Sequence, residues 1–322
     1  MLSRTADHCF WMARYTERAE NTARLLDVNV QTALMPQSQA LADESWMAML
    51  DISELIPLFE QLYGKDLSGA ALRDAVLAFM VRDDRNGSSI VSCLRSAREN
   101  ARAVRGTLTT EVWETQNTTW LELQKQLAHL MPDTMSPFFE WVKFRSHLSR
   151  GVTSGTMLRD EAYYFIRQGT FLERADNTAR LLDVKFAKHS ATDEAAVSEE
   201  SQQQFYYWAA LLRSVSSFEI YRKVYRDVIT PQRVAELLML RADMPRSLLA
   251  CMDDVVLTLR HVRNNQSAET ERLAGQLRAQ LQYGAIDEVL KEGLHAYLTD
   301  FLNRINQIGN RISQDFLVPI TH

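Results

Sequence analysis

Residues 17–28 read Glu-Arg-Ala-Glu-Asn-Thr-Ala-Arg-Leu-Leu-Asp-Val, and residues 173–184 read Glu-Arg-Ala-Asp-Asn-Thr-Ala-Arg-Leu-Leu-Asp-Val. Eleven of the twelve positions are identical, and the single change, from Glu20 to Asp176, keeps a carboxylate. A hydrophobic core accepts many apolar residues of similar size, so packing alone does not require polar residues to be retained as well. The repeat therefore indicates that the fold or the function depends on the chemistry of these polar side chains.

The similarity between the two halves of the chain extends beyond this stretch. Self-similarity at a fixed spacing indicates repeated structure, but two copies are too few for a solenoid. We interpret residues 1–322 as one domain made of two diverged copies, 1–150 and 156–322, with the glycine-containing segment 151–155 as linker. We expect approximate twofold pseudo-symmetry between the copies. The further matching positions are Met1-Leu2 with Met157-Leu158, Ser89 with Ser247, and Cys93 with Cys251.

The composition favours helices. Apolar residues make up 46% and charged residues 24% of the chain, as in ordinary globular proteins. Glycine and proline are few, at 11 and 7 residues, and alanine, leucine, arginine and glutamate are good helix formers. No run of alternating β-branched residues bounded by turn signals is found. The sequence therefore predicts an all-α fold, a multi-helix bundle.

The charge and the absence of long apolar runs exclude several classes of protein. The formal net charge is −5, with both signs interspersed, whereas nucleic-acid binding needs a basic surface. No stretch of 18 apolar residues predicts a membrane span, and the charged N-terminal residues do not resemble a signal peptide. Of the three cysteines, Cys93 and Cys251 are repeat equivalents, and we interpret them as small buried residues rather than a disulfide or metal site. We expect a cytoplasmic protein without nucleic-acid or membrane partners.

On a helical wheel, the polar residues of each repeated stretch gather within about one third of the circumference. Glu17, Asn21 and Arg24 are spaced i, i+4, i+7, so they line up along one helix face. Arg18 and Arg174 lie to one side of the two stripes. The stripe of the first copy is Glu17, Glu20, Asn21, Arg24 and Asp27, and that of the second is Glu173, Asp176, Asn177, Arg180 and Asp183.

Three interpretations of these stripes are open. The first is a solvated helix face with weak intrahelical ion pairs, each contributing about 0.2–0.5 kcal/mol. The second is a buried structural network, in which pairing and hydrogen bonding fix residue identity. The third is a polar cavity formed by both stripes, in which arginine would bind a carboxylate and the acidic residues an ammonium group. The third interpretation makes the stripe residues, with Arg18 and Arg174, candidate ligands for an amino acid or peptide.

A second polar constellation follows in the first copy. It repeats the Arg-Glu-Asn-Ala-Arg order of the motif, whereas the equivalent stretch of the second copy, 253–263, has lost most of it. This constellation is either an exposed charged helix face or a further part of a binding site. Its candidate ligand-binding residues are Arg98, Glu99, Asn100 and Arg102.

The sequence predicts no metal site and no cofactor. Di-iron bundles use two Glu-x-x-His helices, and this chain has one such spacing, Glu292 with His295. No glycine-rich phosphate loop, metalloprotease motif or nucleophile elbow is present. A catalytic residue is therefore not assigned, although Glu17 or Glu173 acting as general base remains an alternative.

Three groups of residues together carry a resemblance to a known family. The N-terminal stretch Trp11-Met12-Ala13-Arg14-Tyr15, followed by Glu17-Arg18-Ala19-Glu20-Asn21, is similar to the opening of the bacterial alpha-E family. This family is a helical domain of unknown function with a Glu-Arg motif. The stretches 97–102 and 244–247 resemble its later signatures, so the resemblance covers nearly the whole chain.

This resemblance mainly implies which genes are found next to the gene for such a protein. Such proteins are typically encoded beside, or fused to, an ATP-grasp amide ligase, and transglutaminase-like proteases are often nearby. The resemblance thus implies an accessory partner of a peptide-forming or peptide-modifying system, with a small peptide or amino acid as ligand. The alternatives are an enzyme in its own right and a purely structural scaffold.

Overall fold

The computed structural model describes residues 1–131, 134–192 and 200–317, and within these ranges it contains helices and no strand. The all-α prediction is therefore confirmed. Fifteen α-helices lie in the described residues, and a short π-helical turn, Ser313–Leu317, follows them. The helices are α1 Ser3–Thr32, α2 Gln39–Ile52, α3 Ile56–Tyr63, α4 Gly69–Val81, α5 Ile90–Ala103, α6 Thr110–Ala128, α7 Met135–Thr156, α8 Glu161–Thr192, α9 Glu200–Ser214, α10 Phe218–Tyr225, α11 Pro231–Met239, α12 Leu248–His261, α13 Ala268–Tyr283, α14 Ile286–Glu292 and α15 Leu294–Ile312.

The chain divides into two compact units. The first comprises Met1–Thr170 with the chain end from Phe316, and the second comprises Phe171–Asp315. Each unit contains one copy of the repeated stretch, on α1 and on α8. The segment 151–155, predicted as the linker between the copies, is helical and continues α7 to Thr156; the division into two copies stays a prediction. The expected twofold pseudo-symmetry stays a prediction.

In the first unit, the long helix α1 packs mainly against α5 and α7, and α6 packs against both of those helices. Phe10, Met12 and Leu26 of α1 are buried, as is Phe139 of α7. The helices α2 to α4 form a smaller cluster around Phe59 and Phe79, whose rings meet edge to face. The motif helix is therefore the central element of this unit.

In the second unit, α12 packs against α13, and α13 packs against α15. The core includes Trp208, Tyr221, Met252 and Phe301, all fully buried. The sequence of 202–226 predicts one long helix, but the chain forms two, α9 and α10, and between them Ser216 adopts a left-handed φ of 54°.

Equivalent turns precede α5 and α12. Ser89 caps α5 by accepting a hydrogen bond from the backbone N–H of Ser92 at 3.2 Å, and Ser247 caps α12 in the same way through Ala250 at 3.0 Å. Serine is a favoured N-cap because its hydroxyl satisfies an N–H that has no intrahelical acceptor. The matched serines thus have the same local role in both units.

Cys9, Cys93 and Cys251 are all buried, which confirms the interpretation of Cys93 and Cys251 as small core residues. In the described part of the chain, no helix combines the length and apolarity needed to cross a membrane.

Candidate functional site

The motif of the first copy is buried on α1. Glu17 is 1% exposed and Glu20 is 0% exposed, and Asn21, Arg24 and Asp27 are also buried. The interpretation as a solvated helix face is therefore wrong for this copy. Buried charges are tolerated only when they are paired and hydrogen-bonded, so the partners of these side chains decide what the motif does.

Helix α7 supplies the partners of the two glutamates. Ser146 donates a hydrogen bond to Oε2 of Glu20 at 2.7 Å, and Arg150 donates from Nη1 to Oε2 of Glu17 at 2.9 Å. The same Nη1 of Arg150 also contacts Oε2 of Glu20. Within α1, Arg24 donates from Nε to Oε1 of Glu20 at 2.9 Å. One guanidinium from α7 thus joins both motif glutamates, and a second binds Glu20 from within α1.

Asp27 binds the other end of α7. Lys143 places Nζ 2.7 Å from Oδ2 of Asp27, and Ser136 donates to Oδ1 at 2.9 Å. Gln31, one turn further along α1, donates to the same Oδ1 at 3.1 Å. Every one of these contacts uses the side-chain carboxyl group of Asp27 as acceptor.

His147 lies at the exposed edge of this arrangement. Its Nε2 is 3.1 Å from Nη2 of Arg24, and its Nδ1 is 2.6 Å from Nη2 of Arg150. We call the whole set the α1–α7 polar network. It consists of Glu17, Glu20, Arg24 and Asp27 of α1 with Ser136, Lys143, Ser146, His147 and Arg150 of α7.

The network places three carboxylates against three permanent cations, with an imidazole at its edge. Pairing with these cations is what allows the carboxylates of Glu17, Glu20 and Asp27 to be buried, and Lys143 also pairs with Glu140 on its own helix. The same alternation of carboxylate and guanidinium can bind a group that carries both charges, because arginine suits a carboxylate and glutamate suits an ammonium. The arrangement is thus compatible with a structural network and with a ligand site.

Arg18 contacts the turn before α5. Its Nη1 is 3.5 Å from Oγ of Ser88, and its guanidinium lies 5.9 Å from the ring centroid of Tyr15. In the second copy, Arg174 makes the equivalent contact, since its Nη1 donates to the backbone oxygen of Pro245 at 3.4 Å. Arg18 therefore contacts the turn before α5, and Arg174 contacts the turn before α12. These two helices carry the matched residues Cys93 and Cys251.

The second copy of the motif is less uniformly buried. Glu173 and Arg174 are buried, whereas Asp176, Asn177 and Arg180 are half-buried. Arg180 donates from Nε to Oδ2 of Asp176 at 2.8 Å. The pairing of each motif arginine with the carboxylate one turn before it is thus present in both copies.

The helix that meets the second motif differs from α7. His295, at the start of α15, places Nδ1 2.6 Å from Oδ1 of Asp183. Beyond it, the buried residues of α15 are apolar and include Leu298, Phe301 and Ile305. His295, the histidine of the single Glu-x-x-His spacing, is thus a partner of Asp183.

The second constellation forms a half-exposed cluster on α5 and α6. Arg98 donates to Oδ1 of Asn117 at 3.0 Å and lies 2.7 Å from Glu99, which also pairs with Arg102 at 2.5 Å. Asn100 places Oδ1 2.8 Å from Nδ1 of His8. Asn100 therefore joins this cluster to α1 at His8.

Sequence reasoning missed the α7 residues of the network. The available signal was the spacing of Lys143, His147 and Arg150, which is i, i+4, i+7, the same spacing that singled out the motif on α1. In the described residues, no group of three or more histidine, cysteine, aspartate or glutamate side chains is placed to hold a metal ion.

Comparison with known proteins gives one family. Residues 1–317 match the family model Alpha-E, described as a predicted alpha-helical domain with a conserved ER motif. In this chain each of the two repeated stretches carries a Glu-Arg pair, at Glu17-Arg18 and at Glu173-Arg174.

Three curated mycobacterial proteins are similar to the chain, one from Mycobacterium bovis and two from strains of Mycobacterium tuberculosis, all named as uncharacterised proteins. Each is 25% identical over 330 residues, which cover 94% of this chain and 35% of the relative. The chain thus spans about a third of the length of these relatives. No solved structure matches. Because the family model covers nearly all of the chain, including both Glu-Arg pairs, the protein belongs to the Alpha-E family.

Proposed function

We propose that this protein is an accessory partner of an ATP-grasp amide ligase in a peptide-forming or peptide-modifying system. Its role is to present a polar site for an amino acid or a peptide. The α1–α7 polar network is the observation that supports this role. It gathers carboxylates and guanidiniums from two helices, and its exposed edge at His147 leaves part of it open to solvent.

The size of the relatives also supports a role beside other domains. The region similar to this chain fills 35% of each curated relative, so the larger part of each lies outside it. A helical unit that adjoins other sequence in one polypeptide fits a partner role better than an independent activity. We choose an amide ligase as the partner because the family resemblance implies that a gene for such a ligase lies nearby.

Two other functions compete with this proposal. In an enzyme using Glu17 as general base, that carboxylate would have to face a substrate, yet it is 1% exposed and its Oε2 already accepts a hydrogen bond from Arg150. In a purely structural scaffold, the network would stabilise the packing of α1 against α7 and would bind no ligand. The scaffold is therefore the stronger competitor, and the experiment must separate it from the partner role.

The test measures turnover of the neighbouring ligase with and without this protein. We expect the protein to raise the ligation rate, and we expect Glu17→Gln to weaken that stimulation. Glutamine keeps the shape of glutamate and can still accept from Arg150, but it removes one negative charge from the polar network that the ligand would meet. Glu111→Gln, at an exposed position in the first turn of α6, is the matched control and should stimulate like the wild type.

Circular dichroism and thermal unfolding of each variant check that the fold is kept. No stimulation by the wild type would contradict the partner role. Full stimulation by a folded Glu17→Gln variant, with the corresponding Glu173→Gln result, would assign the motif to the scaffold instead. Turnover by the isolated protein that is lost in Glu17→Gln would favour the enzyme.

A further inference from the structure

Four arginines lie along one side of helix α5. Their spacing is i, i+3, i+7 and i+10, so they fall within about a quarter of the helix circumference and span about 15 Å of its length. The buried residues Cys93, Ala97 and Ala101 of the same helix lie outside this sector. We call the set the α5 arginine face, and it consists of Arg95, Arg98, Arg102 and Arg105.

The α5 arginine face is open to solvent. Arg95 and Arg105 are exposed, the side chain of Arg102 is 65% exposed, and that of Arg98 is 26% exposed. Arginine keeps its positive charge in proteins, and its guanidinium has donors and no acceptor. A partner that docks here therefore meets a row of positively charged hydrogen-bond donors.

One carboxylate lies within the row. Glu99 is 2.7 Å from Arg98 and 2.5 Å from Arg102. The four guanidiniums and this single carboxylate carry four positive charges and one negative charge. The row thus has an excess of three positive charges, although the net charge of the whole chain is −5.

The two arginines at the ends of the row contact neutral groups in the described part of the chain. Arg95 donates a hydrogen bond to Oγ of Ser92 at 3.3 Å, and the guanidinium of Arg105 lies 5.4 Å from the ring centroid of Trp113. Neither contact neutralises the charge of the arginine. These two positions can therefore bind a carboxylate from another molecule without first breaking an ion pair.

Helix packing does not explain the row. Helix α12 follows an equivalent turn, but at the spacing set by the matched N-cap serines its residues at positions 95 and 98 are Asp253 and Val256. Asp253 binds Arg278 of α13 at 2.5 Å. The helix dipole favours cations in the last turn, yet only Arg102 of the four lies in the last turn of α5. The arginines thus fit a role outside the fold of their own unit.

We propose that the α5 arginine face binds an acidic α-helix of a partner protein. A guanidinium suits a carboxylate because it can donate two parallel hydrogen bonds to it. A helix with glutamates spaced i, i+3, i+7 and i+10 presents its carboxylates over the same length of about 15 Å. The two rows can therefore pair side by side. This proposal goes beyond the proposed function, since it requires neither the α1–α7 polar network nor an amide ligase.

Two features favour carboxylates over nucleic acid as the partner. Single-stranded nucleic acid stacks its bases on aromatic side chains, but the indole of Trp113 is half-buried and has the guanidinium of Arg105 over its ring. Nucleic acid also carries a phosphate at every nucleotide, so it would meet the carboxylate of Glu99 within the row. A helix can instead place a neutral side chain opposite Glu99.

The experiment measures the fluorescence anisotropy of labelled probes mixed with the full chain. Low ionic strength is used, because exposed charges are screened beyond about 8 Å at physiological salt. The first probe is an alanine-based peptide with four glutamates at the spacing given above, and the second has glutamines at the same places. We expect the glutamate peptide to bind about tenfold more tightly, because several exposed ion pairs each add a small favourable amount.

Two double variants assign the binding to this face. Arg95→Ala combined with Arg105→Ala should weaken binding of the glutamate peptide about fivefold, and circular dichroism should show an unchanged fold. The matched control is Arg73→Ala combined with Arg272→Ala, at exposed arginines elsewhere. It removes the same number of positive charges and should bind the peptide like the wild type.

Several results would overturn the proposal. These are no binding of the glutamate peptide, equal affinity for the glutamate and glutamine peptides, and equal weakening by the two double variants. A labelled single-stranded oligothymidylate is the third probe. If it bound more tightly than the glutamate peptide and lost binding in the Arg95 and Arg105 double variant, the face would be assigned to nucleic acid instead.

The ligase assay gives a separate answer. A protein that binds the glutamate peptide through this face and fails to stimulate the ligase would keep this proposal and lose the proposed function. Stimulation of the ligase without binding of the peptide would do the reverse.

Discussion

Arg150 donates a hydrogen bond to Oε2 of Glu17 at 2.9 Å, across 133 positions of the sequence. Glu17 is almost fully buried and belongs to the Glu-Arg pair of the first repeated stretch. Its principal described partner thus lies outside the motif, near the end of α7. This contact joins the motif helix to α7. We therefore expect substitution of Arg150 to lower the free energy of unfolding more than substitution of the other network residues.

We expect Arg150→Ala to lower the free energy of unfolding by about 3 kcal/mol, because it leaves two buried carboxylates without that guanidinium. Urea denaturation followed by circular dichroism measures this. Arg73→Ala is the control, since Arg73 pairs with Asp74 at an exposed position and should cost less than about 1 kcal/mol. Similar small losses in both variants would mean that α7 does not stabilise the motif.

We expect Gly169→Ala to destabilise the first unit by about 2–3 kcal/mol through overpacking. A Cβ at this position of α8 would lie 2.3 Å from the backbone oxygen of Phe10 on α1. Gly275→Ala, in the interior of α13, meets nothing within 4 Å and should stabilise its helix by about 0.5–1 kcal/mol. Thermal unfolding of both variants gives the comparison, and equal melting temperatures would contradict the close crossing of α1 and α8.

We expect none of the cysteines to react with a thiol reagent in the folded protein at pH 8. All are buried, and burial raises the pKa of the Cys9 thiol to about 12, so almost no thiolate forms. Absorbance with Ellman's reagent should show three thiols only after unfolding in guanidinium chloride. Ala103→Cys, at an exposed position, is the control that should react at once. Rapid reaction of the native wild type would contradict the buried placement.

We expect the turn before α5 to stabilise the fold less at acidic pH than at neutral pH. Arg85 donates from Nε to Asp83 at 2.9 Å, and Tyr63 donates to it at 2.8 Å. The hydrogen bond from Arg85 is the main reason that the pKa of Asp83 lies well below its ordinary value, against the opposing effect of burial. A lowered folded-state pKa means that ionised Asp83 stabilises the fold at neutral pH, and this contribution is lost as pH falls below about 4.

The measurement compares the wild type with Asp83→Asn. The difference in their free energies of unfolding should be largest near pH 7 and shrink progressively toward about pH 2. Asp74→Asn, in an exposed pair, should change stability little throughout. A difference between wild type and Asp83→Asn that does not vary with pH would show that the charge of Asp83 has no stabilising role.

Helix positions followed from local sequence more reliably than helix ends. The predicted start of α1 at Ser3 is confirmed, because good helix formers dominate that stretch. A helix predicted to run unbroken over 287–316 is interrupted at Gly293, whose φ of 103° suits glycine and ends α14. Conversely, Gly151 and Gly155 lie inside α7, where buried Ser149 and Thr153 keep the segment packed as helix.

The candidate site could likewise be predicted from the sequence only in part. The helical period identified the polar stripe of α1, and Arg24 is buried and paired with Glu20, as the interpretation as a buried network requires. For Arg180 the carboxylate partner is confirmed, but the side chain is only half-buried. Local sequence patterns could not show which residues face the stripe, because Ser146 and Arg150 are far from it in the sequence.

The sequence by itself determined that this protein is helical, that it contains two copies of a Glu-Arg motif, and which side chains share a helix face. These properties depend on the 3.6-residue helical period and on neighbours a few positions apart. Only the tertiary structure decided that the face of the first copy is buried and that α7 neutralises it. The energy of a charge depends on the groups that surround it in space, and for Glu17 and Glu20 the decisive group is Arg150, which folding brings from the far end of another helix.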